Sequence, residues 1–126
     1  METLTIPASK YTPEIELNAE QNTITIKGKS YPENTFDFYA PVMSWLQSYF
    51  EQDKLPKTTV NMEIIYFNSS SSKLFFDLFD LFEEAQDDGK EITVNWYYDA
   101  ENESAEEAGE DFKEDFEAMD FNIIKK

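Results

Sequence analysis

Cysteine, histidine and arginine are all absent from this 126-residue chain, and glycine occurs three times. Without cysteine there can be no disulfide, thiol nucleophile or thiolate metal site, and without histidine the commonest general base and zinc ligand is missing. The lack of arginine removes the planar fork that reads phosphates through paired hydrogen bonds. Lysines supply all 10 basic side chains against 27 acidic ones, for a net charge of −17. Such a surface repels nucleic-acid phosphates and anionic lipid headgroups, so neither nucleic acid nor membrane is an expected partner. No stretch approaches the roughly 20 apolar residues that a bilayer span needs. The amino terminus, Met1-Glu2-Thr3-Leu4-Thr5-Ile6-Pro7, has neither the basic nor the long apolar part of an export signal, and a cytoplasmic protein is expected.

What is present is enough for a core. Hydrophobic residues make up 40% of the chain and aromatic ones 16%, which argues against disorder and suits a single domain over residues 1–126. The chain is organised around residues 60–96. Val60, Met62, Ile64 and Tyr66 share one face of an extended run while Ile65 and Phe67 take the other, which predicts a central strand covered on both sides. Over residues 74–85 the period changes to that of a helix: Leu74, Leu78, Leu81 and Ala85 form one row, and Phe75, Phe79 and Phe82 form a second beside it. Gly89 suits the residue after a helix end, and Ile92, Val94 and Trp96 resume a period of two, so the two strands should be parallel.

Before this unit, Leu4 and Ile6, then Ile15 and Leu17, mark short strands, and residues 18–22 form a polar turn into the alternating run 23–27, which Gly28 is expected to end. Asn34 or Thr35 can cap a helix with Phe36, Tyr39, Ala40, Met43, Leu46 and Phe50 on one face, widened by Trp45 and Tyr49. Pro41 falls inside that pattern and predicts a kink or a late start near Ala40. After the unit, residues 99–120 carry eleven carboxylates against Lys113 alone, yet Ala105, Ala108, Phe112, Phe116 and Met119 recur at steps of three and four. That is an amphipathic helix with a negative outer face, weakened locally by Gly109. Residues 121–124 form a final short strand, with Lys125 and Lys126 frayed. The alternation of strands and helices predicts an α/β domain with a mixed sheet and helices packed mainly against one face.

Asn68 and the run Ser69-Ser70-Ser71-Ser72 lie between strand end and helix start, where unpaired N–H groups and a partial positive charge are presented. Serine and asparagine at such positions serve as caps and turn formers. The same N–H groups can also hold a phosphate on one of the hydroxyls, and the pattern alone allows both readings. Tyr97, Tyr98 and Asp99 end the following strand, where partner-facing residues commonly lie; edge packing accounts for them equally. Tyr31 and Pro32 fall near the same end and serve equally as a rigid loop. Catalysis would have to use carboxylates such as Asp77, Asp80, Glu83 and Glu84, but these fall mainly on a solvated helix face with no asymmetry to separate their pKa values. An acidic decoy occupying a basic nucleic-acid-binding surface rests on the charge alone.

Four blocks carry a resemblance: Ile64-Ile65-Tyr66-Phe67-Asn68-Ser69-Ser70-Ser71-Ser72-Lys73, Ser30-Tyr31-Pro32-Glu33-Asn34-Thr35, Trp96-Tyr97-Tyr98-Asp99 and Gly109-Glu110-Asp111-Phe112. In combination and order they resemble the SiaC family of bacterial regulatory phosphoproteins over nearly the whole chain. The resemblance implies a STAS-like fold without a catalytic site, cofactor or metal. It implies a protein that binds and activates a diguanylate cyclase in cyclic-di-GMP signalling of biofilm and aggregation; the free protein is expected to be a monomer. It also implies control by a cognate serine/threonine kinase and a PP2C-type phosphatase, with the free form binding the cyclase. The family's acceptor hydroxyl follows the asparagine at the strand end, which maps onto Ser69; within a four-serine run Ser70 and Ser71 are the alternatives, and the Asp-Ser-Ser-Gly form of STAS antagonists is absent. The partner would then meet Asn68, Ser69 and Ser70 together with Tyr31, Pro32, Tyr97, Tyr98 and Asp99.

Overall fold

A computed structural model describes residues 1–126. The elements are β1 (Leu4–Ile6), β2 (Glu14–Asn18), β3 (Thr23–Ser30), α1 (Thr35–Phe50), β4 (Thr58–Phe67), α2 (Ser69–Asp87), β5 (Ile92–Tyr98), α3 (Glu103–Asp115) and β6 (Asp120–Lys125). β1 to β3 form an antiparallel meander and β3 to β6 run parallel, in a mixed six-stranded sheet whose spatial order is the chain order. Parallel neighbours need a crossover, and α1, α2 and α3 supply one each. The arrangement is α/β, as expected, and compatible with a STAS-like one. No helix is long and apolar enough to cross a membrane.

The core lies on one side of the sheet. Ile24 and Ile26 of β3, Val60, Met62 and Ile64 of β4, and Val94 and Trp96 of β5 meet Tyr39, Val42 and Leu46 of α1, Leu78, Phe79 and Phe82 of α2, and Phe112 of α3. The other side of the sheet carries Thr25, Asn61, Glu63 and Asn95 and has no helix over it. Asn95 donates to the Asn61 side-chain oxygen at 3.2 Å and Asn122 donates to Asn95 at 3.3 Å, a polar ladder across three strands. β4 is therefore central but covered on one face, which corrects the expectation of cover on both.

The phase of β4 also departs from simple alternation. Gly28 pairs with Ile64 and Lys29 with Tyr66, leaving Ile65 as a bulge. A bulge inserts one residue and re-aims the side chains beyond it. Ile65 and Tyr66 both end up exposed, and Phe67 turns inward to meet Phe75 at 5.5 Å and Trp96 at 6.3 Å. Gly28 does not end β3, which continues to Ser30; its φ of +127° disfavours a side chain, and an added Cβ would lie 3.4 Å from Pro13.

Other boundaries moved for local reasons. Asn34 caps α1 by accepting from the Asp37 N–H, and the helix starts at Thr35 and includes Pro41, so there is no late start. Pro41 and Asp37, whose carbonyl loses its usual donor, both lie on exposed parts of the helix. The buried face is Thr35, Tyr39, Val42, Leu46 and Tyr49, which leaves Phe36 and Ala40 outside. α2 starts five residues earlier than its apolar period, at Ser69, because Asn68 caps it. Gly109 is a fitted residue in α3: an added Cβ would lie 2.5 Å from Cδ1 of Trp96, whose indole N–H donates to the Ala105 carbonyl at 2.9 Å. Lys125 belongs to β6, and Lys126 is tied through its N–H to the Tyr98 carbonyl and its ammonium to Glu63, both at 2.9 Å, so neither end residue is frayed.

Candidate functional site

The site forms where β4 passes into α2. Asn68 sits in extended backbone and accepts from the Ser71 N–H at 2.9 Å, while its own N–H donates to the Ser30 carbonyl at 3.1 Å, which holds the turn against the end of β3. This geometry places the four serines in the first turn of a 19-residue helix. Their side chains then diverge by helical rotation.

Ser71 is fully buried and shares a hydrogen bond of 2.8 Å with Ser30, which shares another of 2.6 Å with the Tyr39 phenol. Burial pushes the Tyr39 pKa up to about 12, against a smaller lowering from Ser30. Ser70 is exposed but engaged: its hydroxyl donates to the Asn68 side-chain oxygen at 3.1 Å. With that one proton committed, the Thr35 hydroxyl donates in turn to Ser70 at 2.7 Å. Ser69 is exposed and its hydroxyl makes no hydrogen bond within the protein. It opens onto a groove of about 570 Å³ between α2 and α3, with Phe67, Phe76, Ala108 and Phe112 as its apolar part and Lys73, Asp77, Asp111 and Asp115 as its charges.

Tyr97, Tyr98 and Asp99 are at the end of β5, the neighbour of β4, but they line a different groove, with Ile65 and Glu101. The Tyr98 phenol donates to Glu106 at 3.0 Å. Desolvation, then that hydrogen bond and the charges of Glu106 and Glu110, hold its pKa above the ordinary tyrosine value. Asp99 accepts from the Glu101 N–H and leads the chain into α3, whose cap Asn102 donates to the Ile65 carbonyl at 3.0 Å. Tyr31 is wedged edge-on between Tyr11 at 5.2 Å and Tyr66 at 5.4 Å, with Pro32 half-buried beside it. The structure thus brings Asn68, Ser69 and Ser70 into one turn and sets Tyr31 and Tyr97 on the helix-free side.

Sequence reasoning missed Ser30, Thr35 and Tyr39 as the second layer of the turn. The signal for Ser30 and Thr35 was the block Ser30-Tyr31-Pro32-Glu33-Asn34-Thr35, which lies more than thirty residues from the serines it contacts; Tyr39 joins through Ser30. Asp77, Asp80 and Glu84 are exposed, and no group of three or more carboxylates is arranged to hold a metal ion.

Known proteins are similar to this chain over nearly its whole length. An uncharacterized protein of Pseudomonas aeruginosa strain UCBPP-PA14 is 33% identical over 115 residues, covering 91% of this chain and 90% of that protein. The crystal structure of apo-SiaC from Pseudomonas aeruginosa superposes with a TM-score of 0.84 at 27% identity, over 100% of this chain and 99% of that one. A crystal structure of the diguanylate cyclase SiaD in complex with its activator SiaC, from the same organism, matches with a TM-score of 0.85 at 31% identity over 97% of each chain. The model of the SiaC family regulatory phosphoproteins matches from residue 6 to residue 126, and the chain belongs to that family.

Proposed function

We propose that this protein is a non-catalytic partner that binds and activates a diguanylate cyclase and is switched by phosphorylation of Ser69. The cyclase follows from the likeness to SiaC, which is bound to SiaD as its activator. One observation carries the switch: of the four serines, Ser69 alone is both exposed and free of side-chain hydrogen bonds, Ser72 being half-buried, at a helix start with no carboxylate in its first turn. Ser71 is buried, and phosphorylating Ser70 would break its bonds to Asn68 and Thr35. A phosphate at Ser69 adds about −1.5 to −2 charges beside the helix N–H groups, so the fold persists while the surface changes. A partner that packs on Asn68, Ser69 and Ser70 and reaches over this end of the sheet to Tyr31, Pro32, Tyr97, Tyr98 and Asp99 excludes that dianion, because desolvating it unpaired is costly.

In this reading residues 1–126 act as one cytoplasmic domain, monomeric when free, under a serine/threonine kinase and a PP2C-type phosphatase. The test titrates wild type, Ser69→Ala, Ser69→Asp and stoichiometrically phosphorylated protein against purified cyclase from the source organism, reading cyclic dinucleotide production. Wild type and Ser69→Ala should activate, and the Asp and phosphorylated forms should not. Equal activation by all four overturns the switch; loss on phosphorylation at Ser70 or Ser71 instead moves the acceptor and keeps the mechanism.

A further inference from the structure

The helix-free side of the sheet is polar through Thr59, Asn61 and Glu63 of β4, and then abruptly apolar: Ile65 is 52% and Tyr66 54% exposed. The bulge produces this by turning two consecutive side chains outward where alternation would have hidden one. Tyr66 stacks edge-on with Tyr31, and Tyr31 with Tyr11, which is itself 48% exposed; on the other side Ile65 shares a groove with Tyr97. The result is a continuous band running from Tyr11 through Tyr31, Tyr66 and Ile65 to Tyr97.

The band is also graded in charge. At one end Lys10 lies over the Tyr11 ring at 5.4 Å and Lys29 is the register partner of Tyr66; at the other, Asp99 and Glu101 line the groove with Tyr97. Exposed aromatic side chains with cations at one end are unusual on a chain of net charge −17. Resting on the cyclase reading above, we infer that this band is the docking surface for one amphipathic segment of the cyclase. That segment is apolar along its contact side, with carboxylates over Lys10 and Lys29 and cations over Asp99 and Glu101. The charge gradient fixes its direction, since the reversed segment would set like charges together. Nucleic acid and anionic lipid do not suit the acidic end, and a second copy brings another −17 charges with it.

The experiment measures binding of purified cyclase from the source organism by calorimetry. Ile65→Ser and Tyr66→Ser should each weaken binding about tenfold or more, as for anchors at an interface centre. Lys29→Glu should weaken it less and reduce its salt dependence. Phe36→Ser, which removes an exposed aromatic side chain from α1, should leave it unchanged. Tyr11→Ser lies outside the bulge and should also weaken binding; if the bulge variants melt early, wild-type affinity in Tyr11→Ser overturns the band. Wild-type affinity in Ile65→Ser and Tyr66→Ser overturns the band and leaves the cyclase as partner. No binding by wild type overturns both. Loss of self-association with cyclase binding intact gives the band to a second copy and overturns the assignment.

Discussion

α2 and α3 are both amphipathic helices that start on an asparagine, Asn68 and Asn102, each accepting from the N–H three residues on, yet their first turns are opposites. α3 begins with Glu103 and Glu106, which neutralise its positive end. α2 begins with four serines and no carboxylate, and it anchors inward through Ser71. Their grips on the core differ as well. α2 buries Leu74, Phe75, Leu78, Phe79, Phe82 and Ala85, whereas α3 buries Ala105, Gly109 and Phe112. A helix held by a broad aromatic stripe can leave its start uncommitted; one held by a narrow stripe needs every end effect it can recruit.

The largest effect expected from breaking this contrast is on the α2 stripe. Phe79 is fully buried, with Phe112, Phe116 and Phe121 within 6 Å, and Phe79→Ala should lower stability by about 3 to 5 kcal/mol in urea unfolding. An unchanged midpoint would refute the anchoring of α2.

Next comes the buried hydroxyl chain under the first turn. Tyr39 ionises at about 12 when folded and near 10 when unfolded, so its contribution is complete below pH 10 and is lost as pH rises from 10 to 12, because the unfolded chain gives up the proton first. The Tyr39 share amounts to roughly 2 kcal/mol over that window, and Tyr39→Phe should remove it, leaving the fall of the same sign that comes from Tyr98. A wild-type stability that stays level between pH 10 and 12 would contradict the assignment.

A sign test follows on α3. In an exposed helix Gly→Ala stabilises by roughly 1 kcal/mol, but Gly109→Ala should destabilise by about 1 to 3 kcal/mol, because its methyl meets the Trp96 ring. A raised melting temperature would show that the helix can shift away from Trp96.

The smallest effect is electrostatic. Glu107 stands four residues from both Glu103 and Asp111, so Glu107→Gln should raise stability by about 0.2 to 0.5 kcal/mol per like-charge pair and flatten the rise in melting temperature with sodium chloride. Substituting Ser69, which has no such neighbours in its turn, should leave the salt response as it is in wild type.

Periodicity exposed the apolar rows of α2 and the strands beside it, because hydrophobic side chains must repeat with the backbone that buries them. It was blind to the start of α2: serines carry no apolar period, and the Asn68 cap is legible only once the strand end is located. It misplaced Tyr66 and Phe67 because a bulge is a property of the pairing with β3, and neither strand alone records it. Gly109 was read as a weakness for the same reason, since the ring that requires it comes from β5. At the candidate site, Ser69 follows from the order of residues, but its distinction from Ser70 and Ser71 comes from Thr35 and Ser30, which the fold brings in from afar.

The coincidence of strand order with chain order has a consequence for how the molecule is made. Each strand joins the free edge of those already synthesised, and none must thread between two partners, so the sheet can grow by accretion from the amino terminus as the polypeptide emerges. The cost falls at the end: the outer edge of β5, with its unpaired N–H and C=O groups, stays bare until β6 is complete. Lys126, just after β6, then fastens that edge to the Tyr98 carbonyl and to Glu63. Until β6 docks, the growing chain therefore carries an open β5 edge that the folded domain covers.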